Sequence, residues 1–194
     1  MLTIETFRSS LTTYSPAEVV QEDGMTRAAV AAVLRPGADG AELLFIHRAE
    51  DPRDLWSGHM AFPGGRVDPG DADSMAAAVR ETREEVGLEL DKDGESIGRL
   101  ADVRAIGRGR PLSMVISPFV FAVTAVPPLF PNHEVAAVVW VPVAFITDRS
   151  NRETMPYRRE GLSLELPCYR YDGHLIWGLT LGMVDELLSL AEGP

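Results

Sequence analysis

The sequence predicts an α/β fold in which a mixed β-sheet is covered by helices on both faces. Three observations lead there. Short apolar runs alternate with helical patterns along the 194 residues; one run, Met114–Val126, is too long and too apolar to lie on an open surface; and no repeat, low-complexity tract or linker interrupts the alternation. A chain of this length, 45% hydrophobic and 24% charged, is enough for one well-packed domain.

Residues 1–24 read as a peripheral helical segment and connector, and residues 25–194 as a single domain. Arg27–Leu34 and Glu42–His47 are apolar runs separated by the turn-forming Pro36-Gly-Ala-Asp-Gly40, hence two neighbouring strands. The loop Phe62-Pro-Gly-Gly-Arg-Val-Asp-Pro-Gly-Asp71 leads into a helix over Ser74–Val86, with Asp73 or Ser74 to cap its start and Gly87 to stop it. Ile97–Ile106 and Met114–Val126 follow as strands, the second central. Ala136–Val141 is a further strand, cut by Pro142 before a short helical turn at Val143–Ile146. Shorter strands at Leu162–Leu166 and Tyr169–Tyr171 precede a closing helix over Ile176–Ala191.

Composition removes several classes of function. With 29 acidic against 18 basic residues, a formal net charge of −11, the surface repels a nucleic acid backbone. No run of about twenty apolar residues and no secretion-signal pattern is present, so the expectation is a cytoplasmic protein without a membrane partner. Cys168 is the only cysteine, which rules out an intrachain disulfide and a cysteine-built metal site. Homodimerisation stays open.

The chemistry concentrates in Val79-Arg-Glu-Thr-Arg-Glu-Glu-Val-Gly-Leu88. At about 100° per residue, Glu81, Glu84 and Glu85 fall within an arc of roughly 100°, beside a packing sector of Met75, Ala78, Val79, Thr82 and Val86. A solvated helix face with Arg80 pairing to Glu84 is one reading. Yet Glu81 and Glu85 are a like-charge i,i+4 pair, which costs a few tenths of a kcal/mol in an isolated helix. A hard divalent cation such as Mg²⁺ would compensate, since it bridges one or two carboxylates to substrate phosphates. Ala77, one turn before Glu81, leaves room for it, and Gly64-Gly65 allow close backbone approach to phosphate oxygens.

These residues resemble the Nudix hydrolases, whose signature is G-x5-E-x7-R-E-U-x-E-E-x-G-U with U apolar. Gly65, Arg80, Glu81, Glu84, Glu85, Gly87 and Leu88 match; Thr82 replaces one U, and the Gly65-to-Arg80 distance is one residue too long. Counting back from Arg80, the first box glutamate falls on Ala72; counting forward from Gly65, on Asp71, a shorter substitute. The upstream text LFIHRAEDPRDLWSGHMAFPGG resembles the pattern of the coenzyme A diphosphatase branch at Leu44, Arg48, Ala49, Arg53, Gly58 and Phe62–Gly65. Phe45 and Ile46 depart from it, and one extra residue separates Arg53 from Gly58. The C-terminal IWGLTLGMVDELL resembles the same branch more loosely.

The resemblance implies a Nudix-type α/β/α sandwich that hydrolyses the diphosphate of coenzyme A or its derivatives. Mg²⁺ or Mn²⁺ would be held by Glu81, Glu84 and Glu85, with Glu84, Glu85 or Glu134 as general base. Arg48, Arg53, Gly64, Gly65 and Arg66 would contact substrate; for Arg48 and Arg53, pairing with Glu50, Asp51 or Asp54 is the alternative. Arg104, Arg108 and Arg110 could meet a 3′-phosphate or balance surface charge, and Trp56, Phe62, Phe119 or Trp140 could stack on adenine or pack the core. Other nucleoside diphosphate derivatives (an ADP-sugar, a dinucleotide, a nucleoside triphosphate) and a non-catalytic nucleotide sensor remain as alternatives.

Overall fold

The computed structural model describes residues 1–20, 22–107, 110–159 and 162–193. Helix α1 spans Ile4–Thr13; strands β1 to β4 cover Thr26–Gly37, Gly40–Arg48, Met60–Ala61 and Gly64–Arg66; helices α2 and α3 cover Ser74–Val86 and Leu90–Asp93. Strands β5 to β8 are Gly94–Arg99, Val103–Gly107, Arg110–Val123 and Val135–Pro142, and helix α4 is Val143–Thr147. Strands β9 (Arg152–Arg159), β10 (Leu162–Tyr171) and β11 (His174–Trp177) lead into helix α5, Gly178–Glu192.

The main sheet is built on β1 and β7, which run parallel from Thr26↔Met114 to Leu34↔Ala122. All other pairings are antiparallel, so the sheet is mixed. The period-two alternation of side chains separates two cores. Ala29, Ala31, Val33, Leu44, Ile46, Phe121 and Val123 pack with Ala77, Ala78 and Val86 of α2. Their neighbours Ala32, Leu34, Leu43, Phe45, Val120 and Ala122 pack with Phe7 and Leu11 of α1 and Leu181, Val184 and Leu187 of α5. Helices therefore cover both faces, as expected. Helix α1 is less peripheral than its place in the sequence suggests, with Phe7 1% exposed.

One detail of the sheet positions the site. Residues 34–37 of β1 pair with β2, whereas residues 28–30 of the same edge pair with β4. Where β1 and β2 part, the Phe62-Pro-Gly-Gly segment enters between them, with β3 on β2 and Ala31 N–H donating to Pro63 O at 2.8 Å.

Several elements depart from the sequence expectation, helix α3 and strand β9 being unforeseen and β7 running from Arg110 to Val123. The strand expected over Ile97–Ile106 is split into β5 and β6, because Asp102 turns inward to accept from Val19 N–H, Arg27, Ser117 and Arg99. The short strands at Leu162–Leu166 and Tyr169–Tyr171 are one strand, β10. The closing helix starts at Gly178 instead of Ile176, which is fully buried in β11 opposite Tyr169. Part of the glycine loop is strand, because β1 supplies it with a pairing edge. The β9–β11 meander forms a second, three-stranded sheet, and helix α5, which follows it, is tied to the first sheet where Thr180 donates to Met60 O at 2.9 Å.

Candidate active site

Helix α2 presents the acidic face. Asp73 accepts from Ala76 N–H at 2.8 Å at its start, and Gly87 ends it in the left-handed region, at φ 75°. Ala77, Ala78, Thr82 and Val86 are fully buried. Thr82 tolerates its apolar position by donating to Ala78 O at 2.7 Å. Met75, grouped with these residues by periodicity, stays 37% exposed in the first turn.

Glu85 sits at the border of the packing and acidic faces and is drawn inward, to 2% exposure. Its Oε2 accepts from Gly64 N–H at 2.8 Å, and its Oε1 lies 3.8 Å from Arg48 Nη1. Burial pushes its carboxyl up to about 8; the Gly64 N–H and Arg48 oppose the rise, and Glu81 and Glu134 add to it. Glu81 is raised as well, chiefly by burial.

Arg80 organises the other carboxylates. It donates to Asp71 through Nε at 2.9 Å and Nη2 at 3.0 Å, to Arg66 O at 3.0 Å, and through Nη1 to Glu81 at 2.9 Å and Glu84 at 3.2 Å. The guanidinium thus fastens the glycine loop to the helix. Its hydrogen bonds hold the Asp71 carboxyl below the usual carboxylate range. Close backbone approach needs the glycines: a Cβ on Gly65 would lie 2.4 Å from the Glu81 carboxyl carbon, and one on Gly64, at φ 152°, would lie 2.2 Å from Ala29 O.

Gly64, Gly65, Glu81 and Glu85 line one side of a cavity of about 420 Å³, and Asp71, Arg80 and Glu84 are not among its lining residues. Arg48, Gly64, Gly65, Arg66, Glu81, Glu85 and Glu134 form its polar part, and Met60, Phe62, Met114, Leu179 and Met183 its apolar part.

A family model for the NUDIX domain matches residues 25–159. The chain belongs to the Nudix family. It is 34% identical over 171 residues to an uncharacterized Nudix hydrolase, NudL, of Cronobacter sakazakii, across 84% of each chain. Two solved structures share the fold. A MutT/nudix family protein from Enterococcus faecalis superposes with a TM-score of 0.53 at 16% identity, covering 94% of this chain and 66% of that one. The NUDIX domain of Shewanella oneidensis NrtR, complexed with ADP ribose, superposes with a TM-score of 0.50 at 17% identity, covering 72% of this chain and 84% of that one. The protein is a Nudix pyrophosphohydrolase, and enzymes of this family generally use divalent metal ions.

The Nudix residues fit such an ion by their chemistry. Every side-chain donor is a carboxylate, the hard oxygen type that Mg²⁺ and Mn²⁺ prefer, and Glu85 is a buried carboxylate whose ionised form needs a cation nearby. Among the described residues no three acidic side chains converge on one point, because Glu81 and Glu84 face Arg80 while Glu85 faces Gly64.

The structure brings together most of the residues singled out in the sequence. Glu84 is the outermost of the helix glutamates, its side chain 49% exposed. Arg53 is not among the residues at the cavity; its side chain is 91% exposed and pairs with Asp51 at 2.9 Å. Arg48 is held by Asp54, at 2.7 Å from Nε, and still turns Nη1 toward Glu85. Arg104 pairs with Glu22 at 2.9 Å, and Arg108 lies outside the described residues. Of the four aromatics, Trp56 and Phe62 line the cavity, whereas Phe119 lies under Arg99 and Trp140 under Arg35. Sequence reasoning named Asp54 as an alternative partner for Arg48, which it is, and missed His59 and Trp177 at the cavity. Trp177 lies 92 residues after Glu85.

Proposed function

We propose that this Nudix hydrolase cleaves the diphosphate of coenzyme A or an acylated derivative, with Mg²⁺ or Mn²⁺, giving 3′,5′-ADP and 4′-phosphopantetheine or its acyl form. One observation carries the reading. The upstream motif through Arg48 and Phe62–Gly65 and the glutamate motif of α2, separate in sequence, line the same cavity and meet where Gly64 N–H reaches Glu85.

Glu81, Glu84 and Glu85 are the residues that would hold the cation. When bound there it neutralises the diphosphate and lowers the pKa of an attacking water. Arg48, held by Asp54 through Nε and Nη2, has Nη1 on the side of Glu85 to offer to a phosphate oxygen. Gly65 and Arg66 carry the backbone along the cavity wall, and the Arg66 side chain stands exposed at the rim. Glu134, exposed on the loop before β8, is the general base we favour, because Glu85 is committed to Gly64 and buried, and Glu84 is held by Arg80.

A product-identification screen with Mg²⁺ or Mn²⁺ tests the reading across coenzyme A, ADP-ribose, NADH, diadenosine polyphosphates and nucleoside triphosphates. Coenzyme A is expected to lead in kcat/KM. A preference of about tenfold for any other substrate, roughly 1.4 kcal/mol in transition-state discrimination, overturns it.

A further inference from the structure

The apolar part of the cavity has no role in holding a diphosphate. Met60, Phe62, Met114 and Met183 are each at most 7% exposed, and Leu179 and Trp177 complete the wall. Leu179 and Met183 stand on α5 and Trp177 ends β11, all beyond the stretch 25–159 matched to the NUDIX domain. The polar groups here are engaged or neutral. Thr180 gives its hydroxyl to Met60 O at 2.9 Å, and burial pushes the imidazolium pKa of His59 down, beside the Trp177 ring at 4.9 Å between centroids. Trp177 also meets Tyr157, at 5.7 Å, so protein rings already pack around it.

This wall begins close to the carboxylates. Phe62 is two residues before Gly64, a span of at most about 7 Å, and Gly64 binds Glu85. With the diphosphate held at these carboxylates, as the coenzyme A reading has it, the group that meets this wall is the one joined directly to a phosphate. In coenzyme A that group is a methylene followed by a carbon bearing two methyls, compact and apolar. In ADP-ribose, NADH and diadenosine polyphosphates it is a hydroxylated ribose on either side.

Resting on the coenzyme A reading, we propose that Leu179 and Met183, with Met60 and Phe62, form a specificity subsite for the branched dimethyl group next to the scissile diphosphate. Thioether side chains adapt to such a group without polar contacts. Each ribose hydroxyl buried there without a partner loses about tenfold in binding. The stretch matched to the NUDIX domain then supplies the phosphate chemistry together with Met60 and Phe62, and α5 adds Leu179 and Met183 to select the arm.

The test compares Met183→Gln and Leu179→Asn with the conservative Met183→Leu in the full chain. Two readouts are taken on each preparation: the ratio of kcat/KM for coenzyme A over ADP-ribose, and product binding by calorimetry with 4′-phosphopantetheine against ribose 5-phosphate. The polar variants are expected to lower the ratio at least fivefold and to weaken 4′-phosphopantetheine at least fivefold while leaving ribose 5-phosphate within twofold. Met183→Leu is expected to keep both. If wild-type enzyme cleaves coenzyme A preferentially but the polar variants leave the ratio and the binding difference unchanged, the subsite is overturned and the parent reading stands. If wild-type enzyme does not prefer coenzyme A, both fall together.

Discussion

Replacing Glu85 by glutamine isolates the cost of a carboxylate held in the wall of the fold. Glutamine keeps an acceptor for Gly64 N–H, now 2.8 Å from Glu85, but cannot ionise. Unfolded, the glutamate titrates near 4.5; folded, burial lifts it to about 8. Between those values the folded chain binds one proton more than the unfolded chain, so stability falls as pH rises, by 1.36 kcal/mol per pH unit. Three and a half pH units give a ceiling of about 5 kcal/mol. The loss is absent below about pH 4.5, complete above about pH 8, and absent throughout in Glu85→Gln.

The assay is thermal and urea unfolding of both proteins in EDTA from pH 5 to 9, read as the difference between the two profiles so that all other groups cancel. The variant is expected to gain on the wild type with rising pH, and each 1 kcal/mol corresponds to about 2–4 °C in Tm for a chain of this size. Saturating Mn²⁺ or Mg²⁺ is expected to close the gap by stabilising the wild-type carboxylate. Parallel pH profiles in EDTA would refute the reasoning, because they would mean that Arg48 and Gly64 fully offset the burial.

Steady-state kinetics on Arg48→Ala should show a loss of at least about tenfold in kcat/KM, since the change removes the cation facing Glu85 and the arginine paired with Asp54; Arg53→Ala, on a 91% exposed side chain, should stay within about twofold. Gly65→Ala should keep a cooperative fold and lose about tenfold or more in turnover, because its Cβ would displace the Glu81 carboxylate. Gly64→Ala should cost more than about 2 kcal/mol in urea unfolding, with its Cβ against Ala29 O at a φ of 152°. Glu84→Gln should unfold within about 0.5 kcal/mol of wild type, its side chain being 49% exposed, yet lose most metal-dependent turnover; wild-type activity would remove Glu84 from the ligand set.

The helix and its acidic face were legible because their signals are local. Asp73, Gly87 and the spacing of Glu81, Glu84 and Glu85 act within a few residues of one another, and the period-two runs of β1 and β7 leave little freedom to place them elsewhere. What the sequence concealed depends on contacts between distant segments. Asp102 breaks a strand because Val19 and Ser117 come to it from 83 and 15 residues away. Arg53, matched to a motif by its position, points to solvent because Asp51 holds it through its own backbone N–H and side chain, at 2.9 and 3.1 Å, in a local turn. Trp177 reaches the cavity only because β11 runs back against β10 and Thr180 anchors α5 to Met60.

The loop between Gly65 and Arg80 folds back so that Asp71 accepts from both Nε and Nη2 of Arg80, while Nη1 bridges Glu81 and Glu84. Two of the three crowded glutamates thereby share one guanidinium, which Asp71 holds in place. Glu85 makes no hydrogen bond to that guanidinium; burial, with a smaller push from the Glu81 charge, favours its protonated form. The i,i+4 pair is therefore held asymmetrically, Glu81 against an arginine and Glu85 buried with its carboxyl raised. Were Glu85 to hold a divalent cation with Glu81 and Glu84, its carboxyl would have to ionise, so metal binding in this chain should liberate about one proton near neutral pH. Asp71 would then keep Arg80 in place, with the loop still fastened to the helix through Arg66 O.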